Sequence, residues 1–397
     1  MKISNWLLVA VFQLIPTMLL AQSCSRMVVE DINGNKYYYY KDSIKKVYFE
    51  GINPDKFFSN ENEAVHRYMQ EVYYSDFSHS EIENYAKESG YRMGQPTPFF
   101  FPISDSNILG GYNDKVDFKL YHCWTDSLLI HNQLPFSQAQ EIIPCMEPGV
   151  PMVYELSKIE APESIVYRDT VLNCDQLRMI LAYGGGNIRD IGGWKTKDGK
   201  SIRYGKIIRG SRVSKMIELD SVVFKKILKI AVDIDLRSNE ELNLEDNDPS
   251  NDKNYSPFGD DVEYYHCPLP LHGDILLPYN VYADVIKIII RSVMENKSIY
   301  IHCSGGADRT GALMILLESI LGVIDSDIAK EYELTSFDQN YYDKSNFRYC
   351  TRCKVVLDYF ASLGSSGDTQ KEKIESFLLE HGVSLEELSS FRQIMLK

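Results

Sequence analysis

The chain has 397 residues, 44% of them hydrophobic and 25% charged, and a formal net charge of −14. That length admits two or three globular domains. The acidic balance argues against a nucleic-acid partner, because a phosphate backbone calls for a basic face that this composition does not easily assemble, whereas one anionic group captured by local dipoles is still allowed.

Met1 to Leu20 read as an export signal. Lys2 supplies a basic start, and the apolar run from Trp6 to Leu20, broken by Gln13 and Pro16, is too short for a membrane span. Ala21, Gln22 and Ser23 then precede Cys24. Two readings stand: a lipoprotein processing site that leaves Cys24 lipidated, or ordinary cleavage nearby. Both put a signal peptide at 1–23 and the mature chain outside the cytoplasm. The first makes it a cell-envelope protein of the outer membrane or periplasm, touching the membrane only through that lipid.

In 24–94, MVVE and KYYYY flank Ile32, Asn33 and Gly34, and Asn-Gly predicts a tight hairpin turn. A polar, partly helical stretch follows from Asn60 to Met93. Between 95 and 175 short β-rich runs recur, FFFPI, VDFKLYHCW, SLLIHNQL, EIIPCM and MVYELSKI, separated by Gly, Pro, Asn and Asp. They predict an all-β, immunoglobulin-like sandwich with nothing catalytic in it, serving to space or dock the rest.

Residues 176–397 alternate strands and helices, which predicts an α/β domain with a mainly parallel sheet. At Gly186-Asn187-Ile188-Arg189-Asp190-Ile191-Gly192-Gly193-Trp194 the paired glycines read as a turn. Arg189 with Asp190 reads as a charged pair, either structural or beside the site. Ile230 to Leu236 is a buried strand by its β-branched content, with Asp235 near its end. A polar loop from Glu240 to Asp261 has the length that lids have. Val262 to Cys267 resumes as a strand, Pro268 to Asp274 as a loop and Val281 to Met294 as a helix.

The stretch that carries chemistry is His302 to Gly311, HCSGGADRTG, set between the strand-like Ile299-Tyr300-Ile301 and the helical Ala312 to Leu317. A helix start offers free amides and a favourable dipole to an anion. Ser304, Gly305, Gly306 and Ala307 form the turn that aims those amides. They stabilise a thiolate at Cys303 as readily as a phosphate, and the thiolate is the competent nucleophile. The planar fork of Arg309 suits two oxygens of a transferring phosphoryl group. The Thr310 hydroxyl is placed to donate to the sulfur.

HCSGGADRTG resembles the phosphate-binding loop of the cysteine-dependent protein tyrosine phosphatases, above all the HCxxGKDRTG loop of their secreted bacterial, mycobacterial-type branch. The Gly186 to Trp194 segment is similar to the N-R-D-x-G-G entry segment of that branch, and Asp327 to Ser336, which contains YELT, resembles its helical segment behind the loop. The resemblance covers Gly186 to the last residue. It implies a three-layer, tyrosine-phosphatase-like domain that hydrolyses phosphate monoesters through a phosphocysteine, without metal or cofactor. The substrate it implies is a phosphorylated protein, foremost phosphotyrosine, or a small phosphate ester. Dual-specificity and inositol-polyphosphate (phytase-like) hydrolysis are alternatives, and a non-catalytic surface binding protein is the reading from another class. Ala307 stands where the branch has Lys, which weakens the phosphoinositide extension.

Four aspartates compete for the general acid: Asp274 and Asp308 level, then Asp235, then Asp190. Cys267 is a candidate partner of Cys303 in a reversible disulfide. Cys350 and Cys353 are expected to be free thiols or a local bridge rather than metal ligands.

Overall fold

The structure is a computed structural model and describes residues 26–30, 36–40, 57–58, 99, 101, 109, 113–173, 176–244, 255–269, 279–337 and 350–397. The export signal, Cys24, the segment from Asn60 to Met93 and Asp274 lie outside the described residues. The chain divides into two compact units, one formed by Met1–Asn60 with Thr97–Gln176 and the other by Glu61–Pro96 with Leu177–Lys397.

In the first unit β1 (Arg26–Glu30) and β2 (Lys36–Tyr40) pair antiparallel with Val28 opposite Tyr38, the two arms expected of the Asn-Gly hairpin. β3 (Phe57–Phe58), β4 (Lys115–His122), β5 (Ser127–Pro135), β6 (Pro151–Lys158) and β7 (Ala161–Asn173) form one sheet in the order β3-β7-β6-β4-β5. Only the β3–β7 pairing is parallel. Strand alternation gives this sheet two unlike faces. Val116, Phe118, Leu120, Tyr154 and Leu156 are fully buried. Asp117, next to Val116 and so on the other face, takes a contact from His131 Nε2 at 3.0 Å.

The expected immunoglobulin-like sandwich is therefore not what 95–175 builds among the described residues. They contain one sheet, on whose β4 and β5 packs a helix, α1 (Phe136–Ile142). The EIIPCM run supplies the end of α1 and a 3-10 turn, Ile143–Cys145, rather than a strand. The reason is spacing: Phe136, Ala139, Ile142 and Ile143 recur at the helical i, i+3, i+4 interval and are all buried.

The second unit is a three-layer α/β domain. Its sheet has the order β11-β10-β12-β9-β8, formed by β8 (Arg189–Asp190), β9 (Ile207–Ser211), β10 (Ile230–Asp235), β11 (Glu263–His266) and β12 (Ser298–Cys303). The β11–β10, β10–β12 and β12–β9 pairings are parallel, and β8 is antiparallel to β9. Central β12 is buried on both faces, which is why it reads as an unbroken apolar run. Tyr300 meets Phe224 and Phe258 on one side. Ile299, Ile301 and Cys303 join the helical core on the other.

The first face is covered through α2 (Glu218–Ser221), which continues as a π-helical stretch, Val222–Ile227. After β10 comes the short α3 (Asn239–Leu244). The second face carries α4 (Tyr279–Met294), α5 (Asp308–Leu321), α6 (Asp325–Glu333), α7 (Cys350–Leu363), α8 (Gln370–Glu380) and α9 (Leu385–Met395). Every residue of α5 after Asp308 is buried. Apolar from Ala312 to Leu317, it serves as the axis on which the others pack. Among the described residues no helix is long and apolar enough to cross a membrane.

Candidate active site

β12 delivers Cys303 to the end of the central strand, opposite Ser211 of β9 and 3% exposed. The turn from Ser304 to Ala307 leads into α5. Gly306 adopts φ +65°, and a Cβ there would run into the Gly210 backbone, so the turn accepts only glycine.

Two side chains hold this turn from behind. Asn187 Nδ2 donates to the carbonyls of Gly305 at 3.1 Å and Gly306 at 3.2 Å, and Arg209 Nη2 donates to the Gly306 carbonyl as well. The N–H and C=O of a trans peptide point in opposite directions. Turning these two carbonyls away therefore aims the amides of Gly306 and Ala307 into the cradle.

Arg209 Nη1 is fixed by Glu331 Oε2 at 2.7 Å, and Glu331 Oε1 takes Arg189 Nε at 2.7 Å. Arg189 Nη1 returns to Asn187 Oδ1 at 2.5 Å. Burial would raise the Glu331 carboxyl, but the two guanidinium groups outweigh it and hold it ionised.

Burial by itself would also raise the Cys303 thiol. The Arg309 guanidinium, the hydroxyl and amide of Thr310 and the Ala307 amide outweigh that effect and bring it below the ordinary thiol value. The Thr310 hydroxyl is fully buried beside the sulfur and is among the groups that lower the thiol.

Arg309 is held by a residue that the sequence pattern did not single out. Glu241 takes Nη1 on Oε2 at 2.5 Å and Nη2 on Oε1 at 2.7 Å. The same carboxylate accepts from Ser304 Oγ at 2.5 Å and from the Ser238 amide at 2.7 Å. Burial would raise Glu241, yet these donors bring it down to about 2. Ser238 Oγ in turn accepts from the Glu241 amide at 3.3 Å, a reciprocal cap at the start of α3. The Ser-Asn-Glu-Glu run at 238–241 is the capping signature by which this helix, and Glu241 with it, was readable.

The family model described as the tyrosine phosphatase family matches residues 181–397. The chain belongs to the tyrosine phosphatase family. The chain is 25% identical over 173 residues to a protein of Cupriavidus necator provisionally named a tyrosine-protein phosphatase, a match covering 37% of this chain and 59% of that one. The chain thus spans under two thirds of that relative's length. Among solved structures, the core catalytic domain of the PP-IP phosphatase SIW14 from S. cerevisiae is matched with a TM-score of 0.26 and 18% identity, over 39% of this chain and 86% of that one. P. aeruginosa TpbA is matched with a TM-score of 0.27 and 11% identity, over 45% and 89%.

The acid candidates separate by environment. Asp235 is fully buried and grips Arg237, with Nη2 at 2.6 Å and Nε at 3.0 Å, while the Tyr264 hydroxyl donates to it at 3.0 Å. Burial would raise Asp235, but His302 and Arg237 bring it to about 2, so it holds no proton to give near neutrality. That removes it from the candidates. Asp190 is removed too: it is buried against Arg178 Nη1 at 3.2 Å and accepts from the Gly192 and Gly205 amides at 2.8 and 2.6 Å. Asp308, half-buried at the first position of α5, stands at the rim of the cradle.

Arg189 and Asp190 do not pair with each other, and neither reaches the open side of the loop. As neighbours on an extended strand they point to opposite faces. Arg189 supports the loop through Asn187 and Glu331, and Asp190 pins the turns at Gly192 and Gly205.

Cys267 directly follows β11, two strands from Cys303 with β10 between, a separation of roughly 10 Å at the usual strand spacing. That exceeds what a disulfide spans, and burial with Asp235 and Asp284 nearby pushes its thiol up to about 11. Cys353, on α7, is free and turned into the core. Among the described residues no cluster of three His, Cys, Asp or Glu side chains is placed to hold a metal.

Proposed function

We propose that this protein hydrolyses phosphate monoesters, foremost phosphotyrosine in proteins, through a phosphocysteine on Cys303. The thiolate attacks phosphorus and the ester oxygen leaves. Arg309 and the amides of the turn bind the equatorial oxygens as charge spreads onto them. Asp308 protonates the leaving oxygen and then, as a carboxylate, takes a proton from the water that releases phosphate. The Thr310 hydroxyl supports the sulfur as it departs in that second step. The observation that carries this reading is the cradle itself, in which the Ala307 and Thr310 amides and the Arg309 guanidinium converge on one buried sulfur.

The test is turnover of p-nitrophenyl phosphate and of phosphotyrosine, phosphoserine and inositol-phosphate substrates by wild type, Cys303→Ser, Asp308→Asn and Asp274→Asn. Cys303→Ser retaining activity within tenfold of wild type refutes the covalent route. If Asp308 is the acid, Asp308→Asn slows phenyl phosphate, a poor leaving group, by about 10²–10⁴ and an activated aryl ester much less, while Asp274→Asn does neither. The reverse pattern hands the role to Asp274. Ala307 leaves the cradle without the second cation that a highly charged inositol phosphate calls for, which supports the protein substrate.

The apolar run from Trp6 to Leu20 and the cysteine behind it support export with a lipid on Cys24. Cell fractionation of wild type and Cys24→Ala, the variant leaving the membrane fraction, is the check.

A further inference from the structure

A cleft of about 990 Å³ opens at the end of α5 that lies away from Cys303. At a rise of about 1.5 Å per residue, the 14 residues of α5 put roughly 20 Å between it and the cradle. Its cations come from separate segments: Lys197 and Lys200 from the turn after Trp194, Lys371 from the first turn of α8 and Arg392 from α9. Two acids share the lining, Asp198 and Asp325. A basic excess gathered in one cleft stands out on a chain of net charge −14.

Two of the four cations have a structural duty. Arg392 Nε donates to the Ile320 carbonyl at 2.7 Å, its Nη2 pairs with Glu375, and Lys371, 4.0 Å from the same carboxylate, reaches over Gly322, where α5 ends in the left-handed conformation. They compensate the negative end of a buried helix. Lys197 and Lys200 have no such duty. Among the described residues Lys197 has no carboxylate partner, and Lys200 has only an exposed contact with Asp198 at 3.7 Å.

We infer that this cleft binds a small polyanion carrying two or three phosphate groups, at a site separate from Cys303. The volume is that of small-molecule sites. Cations drawn from three segments match several negative charges better than one, and the apolar floor given by Leu321, Val323 and Leu396 strengthens their pull by excluding water. The inference does not rest on the catalytic reading and survives if Cys303 proves inert.

The test is calorimetric titration of the full chain with tripolyphosphate, with and without saturating vanadate to fill the Cys303 cradle, for wild type, Lys197→Ala/Lys200→Ala and the remote control Lys225→Ala. A site that vanadate does not block, weakened at least tenfold in the double variant and less than twofold in the control, is the expected result. Hydrogen exchange should slow at residues 319–325 and 369–371 when tripolyphosphate is added. Binding of equal strength in all three proteins, or no vanadate-insensitive site, overturns the proposal.

Discussion

Arg309 and Glu241, 68 residues apart in the chain, meet in a two-pronged ion pair, Nη1 to Oε2 at 2.5 Å and Nη2 to Oε1 at 2.7 Å. Because Glu241 also caps α3, the orientation of the guanidinium is tied to whether that short helix is formed. Glu241→Gln keeps the shape and removes the charge. Its kcat on p-nitrophenyl phosphate should fall by about 10², the scale of a small misplacement of a catalytic group, with a lesser rise in KM. Wild-type kinetics in Glu241→Gln would show that Arg309 needs no such support.

The Cys303 thiol is depressed by Arg309, Thr310 and two amides. Its alkylation by iodoacetamide should therefore rise with a midpoint below the ordinary thiol value, and Arg309→Met or Thr310→Val should move that midpoint upward. A depressed acid stabilises the folded state above its unfolded pKa and loses that contribution as pH falls through the folded one. The stability difference between wild type and Cys303→Ser should accordingly shrink on acidification across that window. A midpoint at or above that of a free thiol contradicts the cradle.

Asp235 is ionised and buried among Arg237, His302 and Tyr264. Removing one partner of a buried ion pair costs about 3–5 kcal/mol, so Asp235→Asn should lower the urea midpoint markedly. Its folded pKa of about 2 lies below the ordinary carboxyl value. The stabilisation is thus complete above that ordinary value and is lost as pH falls toward 2. Urea curves at several pH values should show wild type and variant converging in acid, and a gap independent of pH would dismiss the assignment.

Asn187 sits at φ +55° and holds both glycine carbonyls of the turn. Asn187→Gly tolerates that backbone and deletes the amide. It should lower kcat about tenfold, on the order of 1.4 kcal/mol of transition-state stabilisation, raise the Cys303 alkylation midpoint, and also lower the urea midpoint, because the buried Arg189 Nη1 loses its bond to Asn187 Oδ1. Asn187→Gln, too long for the same contacts, should not restore the rate. A variant with normal kcat and a normal thiol would make Asn187 a fold residue only.

How far the sequence carried depends on the range of each contact. Cys303, Arg309 and Thr310 belong to one strand-turn-helix, so their spacing alone foretells the cradle. Glu241 comes from a helix, Asn239–Leu244, that runs into the stretch from Glu240 to Asp261 that reads as a polar loop, although Ser238 to Glu241 is a capping run. The pairing of Arg189 with Glu331 spans 142 residues, and no local pattern announces it. The alternation of strand faces would nonetheless have ruled out Arg189 with Asp190. The first unit failed for a related reason: an alternating strand has the same signature whether its apolar face meets a second sheet or a helix, and only the helical interval from Phe136 to Ile143 tells the two apart.

The space that a side chain on Gly306 would need is already filled by the main chain of Gly210, one strand away. A side chain on Gly210 would in turn meet the Tyr300 hydroxyl and the Ile188 side chain. Sequence drift in this protein is thus expected to hold glycine at 210 and 306 alike, each against its own neighbours. A library randomised at these two positions should return glycine alone among its survivors.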